Sequence, residues 1–386
     1  MLRSRVQSMN VQIIAVALLG FVLPLTASAG PVGSLAEREM RTLSERFPGR
    51  MAGSAREQAA ADYLVGRLTD FGYQAELQEF PVAFSFHSQG GGNAREREAV
   101  SYNVVAEVAG RSERLIIVGA HYDTSVARNE AQSEAGIGGP ALQGVDDNAS
   151  GVGVLLELAS RLAGTAPEHT IRFIAFGAEE VGLLGARQVV KSMPMDERER
   201  VVLMINIDSI ITGDRLYVHA GPSTLASHPI AASARDEAQR IASELGVEMR
   251  TNPGLNAEYP AGTGCCSDQA AFDEAGIPVI NIEATNWNLG DLDGYQQTEV
   301  SPAFPAGETW HNARLDNLAH LETHLPAGRL TERPAHVVSV LVRLLGVKAG
   351  LEDSIGDLLG ESRVENVQGA TPTAAHGAPN STTASD

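Results

Sequence analysis

The sequence predicts an α/β fold, a mostly parallel mixed sheet with helices on both faces. Three observations carry that expectation. Residues 115–118 and 171–176 are short, β-branched apolar runs of strand length, and a helical pattern over 150–163 separates them, which reads as the β-loop-α-β unit of a parallel sheet. Two further apolar runs, 201–207 and 278–282, have the same character. Each of the four runs leads into imidazole or carboxylate, at His121, Glu179, Asp208 and Glu283. In open α/β sheets, ligands bind beyond the carboxyl ends of the strands, where these residues fall.

At the start of the chain, Arg3 and Arg5 precede an uncharged apolar run over 11–25 that closes on Ala27-Ser28-Ala29, the layout of a secretory signal peptide cut after Ala29. The run is shorter than the roughly 20 residues needed to span a bilayer, so export to a periplasmic or secreted location is expected. Ala36, Met40, Leu43 and Phe47 then recur at helical spacing until Pro48-Gly49 stops them. Ser54-Ala55-Arg56-Glu57 is a capping box, opening a helix whose apolar face is Ala59, Tyr63, Leu64, Leu68 and Phe71. Residues 74–83 read as a strand, 88–93 as a Gly-rich loop, and 101–108 with 114–118 as a hairpin around Gly110-Arg111-Ser112.

Beyond the central unit, 201–207 is a buried strand ending at Asp208, 216–220 an edge strand and 231–245 a helix. Residues 252–266, rich in Gly, Pro and Asn, read as a surface loop, after which Ser267 caps a helix to Ala275 and 278–282 is a strand ending in Glu283. From 284 to 310 periodicity is weak, which in a compact domain marks a functional loop. Residues 333–345 form the last amphipathic helix. After about Gly350 the composition turns to Ala, Gly, Pro, Ser and Thr, predicting a disordered tail over 350–386 and a single domain over 30–349.

The net charge is −19, or −21 once Arg3 and Arg5 leave with the signal, which argues against nucleic acid or an anionic membrane as partner. The only cysteines are Cys265 and Cys266, so neither a disulfide framework nor a cysteine zinc site is available. Adjacent Cα atoms lie about 3.8 Å apart, closer than is usual in a disulfide. Two free thiols and a strained bridge in an oxidising compartment are equal alternatives.

Together the strand ends offer His121 and Asp123, Asp146 and Asp147, Glu179 and Glu180, Asp208, and later His311 and Asp316. Buried carboxylates at this density would protonate unless cations neutralised them. Imidazole and carboxylate suit zinc, and two zinc ions can share one carboxylate. If Glu179 and Glu180 are extended they point to opposite sides, so that one can bind metal while the other acts as base. Asp123 is spaced to hold the imidazole of His121, and Asp316 to do the same near His311. His-Glu-x-x-His, Gly-x-Ser-x-Gly and phosphate-cradling Gly-rich motifs are all missing from the sequence.

The set HYD, DDNASG, EE after an apolar strand, NID and WHNARLDN resembles the co-catalytic di-zinc aminopeptidases, in order and spacing, over residues 40–345. Longer runs, FPGRMAGS, LQGVDDNASG, TNPGLNAEYPAGTGCCSD, EATNWNLGDLDGYQQ and PAFPAGETWHNARLDN, resemble a periplasmic bacterial branch of that family. The resemblance implies a zinc-exopeptidase type of fold, two zinc ions as cofactor, and peptide or protein N-termini as substrate. It makes Asp147 the bridging ligand, with Asp146 a neighbour. His121 and Asp208 then complete one site, Glu180 and His311 the other, while Glu179 is the general base and Asp123 the partner of the first histidine. The family often has Ser-Asp-His where this chain has Ser267-Asp268-Gln269, so the resemblance assigns no role to that third position.

The narrower branch implies removal of N-terminal arginine. There is an independent reason to expect a basic preference: Glu258, Asp268, Glu283, Asp291 and Asp293 fall in the expected pocket walls, and a partly buried guanidinium needs a carboxylate. Glu283 is the first choice, followed by Asp291 and Asp293. Two other readings stay open, a single-zinc glutaminyl cyclase-like transferase and a non-catalytic binding ectodomain on the same scaffold. Oligomeric state is not legible.

Overall fold

A computed structural model describes residues 30–87, 94–264 and 266–361. The signal peptide, the Gly-rich loop, Cys265 and the tail from 362 onward lie outside the described residues. In chain order the elements are α1 (Ser34–Arg46), α2 (Ala55–Asp70), β1 (Glu76–Phe86), β2 (Arg95–Val108), β3 (Ser112–His121), α3 (Glu130–Ala135), α4 (Gly151–Leu162) and β4 (His169–Phe176). They continue with α5 (Leu184–Ser192), α6 (Met195–Arg200), β5 (Val201–Ile207), β6 (Arg215–Ala220), α7 (Pro229–Glu244), β7 (Met249–Arg250), α8 (Gln269–Glu274), β8 (Val279–Thr285), α9 (Leu318–His324), α10 (Arg329–Ala349) and α11 (Ile355–Leu359).

Eight strands form one sheet in the order β1-β2-β4-β3-β5-β8-β6-β7. The centre, β4-β3-β5-β8, is parallel, whereas β1, β2 and β6 pair antiparallel with their inner neighbours. Central strands buried on both faces need continuous apolar sequence, and residues 115–118 and 201–207 supply it. Alternate residues face opposite cores: Ile116 and Val118 pack with α1, α2, α4, α7 and α10, while Leu115 and Ile117 pack with α5 and α8. Helices therefore cover both faces, as the sequence predicts.

Several local expectations change. Strands β2 and β3 are not a hairpin, because β4 lies between them, antiparallel to β2 and parallel to β3. The apolar β4 is more fully buried there than a two-stranded turn would allow, and the Gly110-Arg111-Ser112 link crosses its beginning, with Arg111 N–H donating to Pro167 O at 3.0 Å. Strand β6 is not the edge, since the two-residue β7 covers part of it. Ser267 does not cap α8; its hydroxyl accepts from the buried Asn206 Nδ2 at 2.9 Å, joining Gln269 Oε1 and Asn281 Oδ1 as acceptors of that amide. Ser54 does cap α2, accepting from Glu57 N–H, but the Glu57 carboxylate reaches Gly53 N–H instead of completing the box.

The folded region also runs past residue 349. Leu351, Leu358 and Leu359 are buried, and Arg161 Nη1 donates to Leu358 O at 2.6 Å. This apolar stretch is too short to show a period, so composition alone placed the boundary early. No helix among the described residues is long and apolar enough to cross a membrane.

Candidate metal centre and active site

Five side chains converge in two groups at the carboxyl ends of the parallel strands. His121 ends β3, Asp208 follows β5, and Asp147 sits in the irregular turn Val145–Ser150 that leads into α4. One potential ligand atom from each lies within 4.8 Å of the others, and Asp147, Glu180 and His311 meet the same limit. Asp147 belongs to both groups through different oxygens. Its Oδ1 is 3.1 Å from His121 Nε2 and its Oδ2 is 3.4 Å from His311 Nε2. His121 Nε2 is also 3.4 Å from Asp208 Oδ1, and His311 Nε2 is 3.1 Å from Glu180 Oε2.

The donor set fits divalent cations. Burial, followed by the charges of Asp268, Glu180 and Asp208, pushes the Glu179 carboxyl well above its usual range. Burial also raises Glu180. Burial would lower His311, yet Glu180 and Asp147 hold it at about 10, and Asp208 and Glu179 likewise overcome burial to raise His121. Thus the protein's own charges call for positive charge at the lone pairs of both imidazoles, where a metal ion would compete with protons. Glu180 Oε1 is a buried oxygen without a hydrogen-bond partner.

Three buried charged groups hold the ligand-bearing backbone. Asp316 accepts from Val145 N–H at 2.9 Å, Asp146 N–H at 2.8 Å and Asp147 N–H at 3.1 Å. Asp123 accepts from Glu179 N–H at 3.0 Å and Glu180 N–H at 3.3 Å. The Arg50 guanidinium donates to Tyr122 O, Gln143 O and Gly144 O, joining the His121 turn to the Asp147 turn. Gly144 is required at this crossing: its φ is +55°, and a Cβ would lie 2.4 Å from Asp147 O. Asp316 therefore serves the Asp147 turn and not His311. Asp123 Oδ1 is 3.6 Å from His121 Nδ1, too far for a full hydrogen bond, and its closer partners are the two Glu amides.

Glu179 and Glu180 are not in an extended segment. β4 ends at Phe176, Ala178 adopts φ +54°, and both carboxylates line one cavity. It is the turn, not a strand pleat, that divides them: Glu180 joins a ligand group while Glu179 stands beside it. Ser209 and His311 also have positive φ, so non-glycine residues in a conformation they rarely adopt flank Glu179 and Asp208 and carry His311. Asp146, fully buried, faces away from the ligands, accepting from Ile211 N–H, Thr212 N–H and Gln297 Nε2.

Of the expected pocket carboxylates, Glu283 and Asp293 line the same cavity of about 280 Å³ as the ligands, together with Trp287, Tyr295, Trp310 and Cys266. Asp291 does not; it is exposed, and only its carbonyl is used, accepting from Asn256 Nδ2. Glu258 is exposed, and Asp268 is fully buried with neither carboxylate oxygen hydrogen-bonded. Cys266 is held in a disulfide, which removes the free-thiol alternative for it.

A model of peptidase family M28 matches residues 103–328. This chain belongs to peptidase family M28. It is a metallopeptidase of the aminopeptidase type. Over 330 residues it is 42% identical to the alkaline phosphatase isozyme conversion protein of Escherichia coli (strain K12), covering 84% of this chain and 93% of that protein. It is 29% identical to aminopeptidase YwaD of Bacillus subtilis (strain 168) over 54% of this chain and 37% of the other. Among solved structures it is similar to a zinc aminopeptidase from Bacillus subtilis, with TM-score 0.58 and 18% identity over 82% of this chain and 95% of that one. A glutaminyl cyclase from Porphyromonas gingivalis aligns with TM-score 0.57 and 20% identity, over 82% and 98%. At these identities the structures speak for a shared fold.

For this M28 peptidase, sequence reasoning gave no role to Arg50, His219, Trp287 or Gln297. Arg50 and Trp287 stand in quoted motifs, FPGRMAGS and EATNWN, but neither periodicity nor metal-ligand chemistry distinguishes them from packing residues. His219 lies mid-strand in β6, where a lone histidine reads as core.

Proposed function

We propose that this protein is an exported di-zinc aminopeptidase that removes the N-terminal residue of peptides or proteins, with preference for arginine. The observation that carries the di-metal reading is the Asp147 carboxylate, which faces His121 with one oxygen and His311 with the other. In this reading His121, Asp147 and Asp208 hold one zinc ion and Asp147, Glu180 and His311 the other, within a catalytic domain that runs to about Gly360. When bound, the two ions supply Lewis acidity that lowers the pKa of an attacking water and polarises the scissile carbonyl.

Glu179 takes the proton from that water and returns it to the leaving amine. It is suited to holding a proton because burial and neighbouring carboxylates raise its proton affinity. Asp123 holds the Glu179 and Glu180 amides and so fixes base and ligand relative to each other. Glu283, with Asp293 on the same wall, supplies negative charge for a guanidinium. The E. coli relative is named for conversion of alkaline phosphatase isozymes, which supports a protein N-terminus as substrate.

The test is metal counting on the purified mature chain together with a panel of aminoacyl substrates, with and without chelator. Two ions per chain and chelator-sensitive release of arginine are expected. One ion with cyclisation of N-terminal glutamine would favour the glutaminyl cyclase-like reading. No turnover of any substrate would favour the binding ectodomain.

A further inference from the structure

The carboxylate of Glu283 is held by a set of neutral donors. Its Oε1 accepts from Trp287 Nε1 at 2.8 Å and lies 3.1 Å from His219 Nε2, while Oε2 accepts from Asn281 Nδ2 at 3.2 Å. No lysine or arginine among the described residues forms an ion pair with it. Glu283 remains part of the cavity wall, whereas His219 is fully buried behind it.

The protonation of His219 follows from its other nitrogen. Nδ1 lies 3.2 Å from Asn252 N–H, which can only donate, so Nδ1 must accept and the ring proton is on Nε2, directed at Glu283. The ring has little room to turn. It stacks on Tyr217 with centroids 5.5 Å apart, packs on Trp287 at 5.1 Å, and meets Gly264, where a Cβ would be 2.8 Å from ring atoms. Asn252 in turn ties together the loop that follows it: its side chain donates to Tyr259 O, Pro260 O and Thr263 O and accepts from Gly254 N–H.

We propose that His219 is the positioning residue of the arginine pocket, a neutral imidazole that aims Glu283 into the cavity and leaves its charge uncancelled for the substrate cation. The inference rests on the arginine preference proposed above. A cationic partner in this place would fix Glu283 equally well but would quench the charge the guanidinium needs. A neutral donor on Nε2, with an acceptor on Nδ1 tied to the loop, holds geometry and keeps charge.

Two near-isosteric variants separate this role from packing. His219→Asn keeps an acceptor where Nδ1 is but cannot reach Glu283, whereas His219→Gln extends an amide N–H toward the Nε2 position. With zinc-loaded enzyme and arginine and leucine 4-nitroanilides, His219→Asn should raise KM for arginine about tenfold or more, with kcat for that substrate within about threefold. His219→Gln should recover most of the arginine-over-leucine ratio. A merely structural histidine would show no such split, so equal behaviour of the two variants overturns the proposal. If Glu283→Gln collapses the ratio while His219→Asn preserves it, the positioning role fails and the arginine reading stands. If wild type prefers leucine, or Glu283→Gln leaves the ratio unchanged, the arginine reading fails and takes this inference with it.

Discussion

The two ends of the cavity are built by different means. At the candidate metal end, His121, Asp208 and Glu180 come from strand ends and the turns after them, and the backbone of the His121, Asp147 and Glu180 turns is fastened by Asp316, Asp123 and Arg50, each buried and each bonded to two or more main-chain groups. At the substrate end only Glu283 comes from a strand. Around it stand the loop residues Trp287, Asp293 and Tyr295, of which Tyr295 is exposed. If Asp147 is shared between two ions as proposed, its placement must be closely held, and buried charged groups fix the backbone there. A pocket that sorts side chains can tolerate looser walls provided one charge is aimed.

The largest expected effect breaks chemistry alone. Glu179→Gln should lower turnover roughly 10²–10⁴-fold or more while both metal ions stay bound. Activity near wild type, or loss of metal, would mean that base and ligand are exchanged between Glu179 and Glu180. Next is the shared ligand: Asp147→Ala should release both ions, measured by metal analysis after dialysis. Asp146 cannot take its place, because its carboxylate is committed to Ile211, Thr212 and Gln297. Two ions retained in that variant would show that Asp147 is not the bridge.

The backbone anchors should cost stability as well as metal. Asp316→Ala leaves three buried N–H groups without their acceptor, at about 1–3 kcal/mol for each group that water cannot reach, so the melting temperature should fall even in chelator. An unchanged chelated melting temperature would place its role in metal binding only. At the substrate end the effect is narrower. Glu283→Gln should reduce kcat/KM for arginine substrates about tenfold or more, with far less change for leucine.

The smallest effects lie furthest from the cavity. Ending the chain after Ala349 removes buried Leu351, Leu358 and Leu359 and the acceptor of Arg161, so melting should fall by several degrees. Ending it after Glu361 should change neither melting nor activity, because the sequence beyond that point is rich in Ala, Gly, Pro, Ser and Thr and poor in large apolar residues.

By itself the sequence determined the α/β class and the strands whose ends carry imidazole and carboxylate, while the choice of His121, Asp147, Glu180, Asp208 and His311 as metal ligands is what the resemblance to a known family implies. Burying a parallel strand on both faces demands a continuous apolar run, and metal binding demands imidazole and carboxylate; both leave marks within a few neighbouring residues. The tertiary structure alone decided which strand lies beside which, and so replaced the hairpin of β2 and β3 by β4 between them. It alone assigned Asp316 to the Asp147 turn, dropped Asp291 from the pocket, and brought Arg50 and His219 to positions behind the site. Those outcomes depend on hydrogen bonds between residues from 33 to more than 170 positions apart, such as His219 with Asn252 and Asp316 with Val145. Only packing of the whole chain creates such pairs, and no local period or motif encodes them.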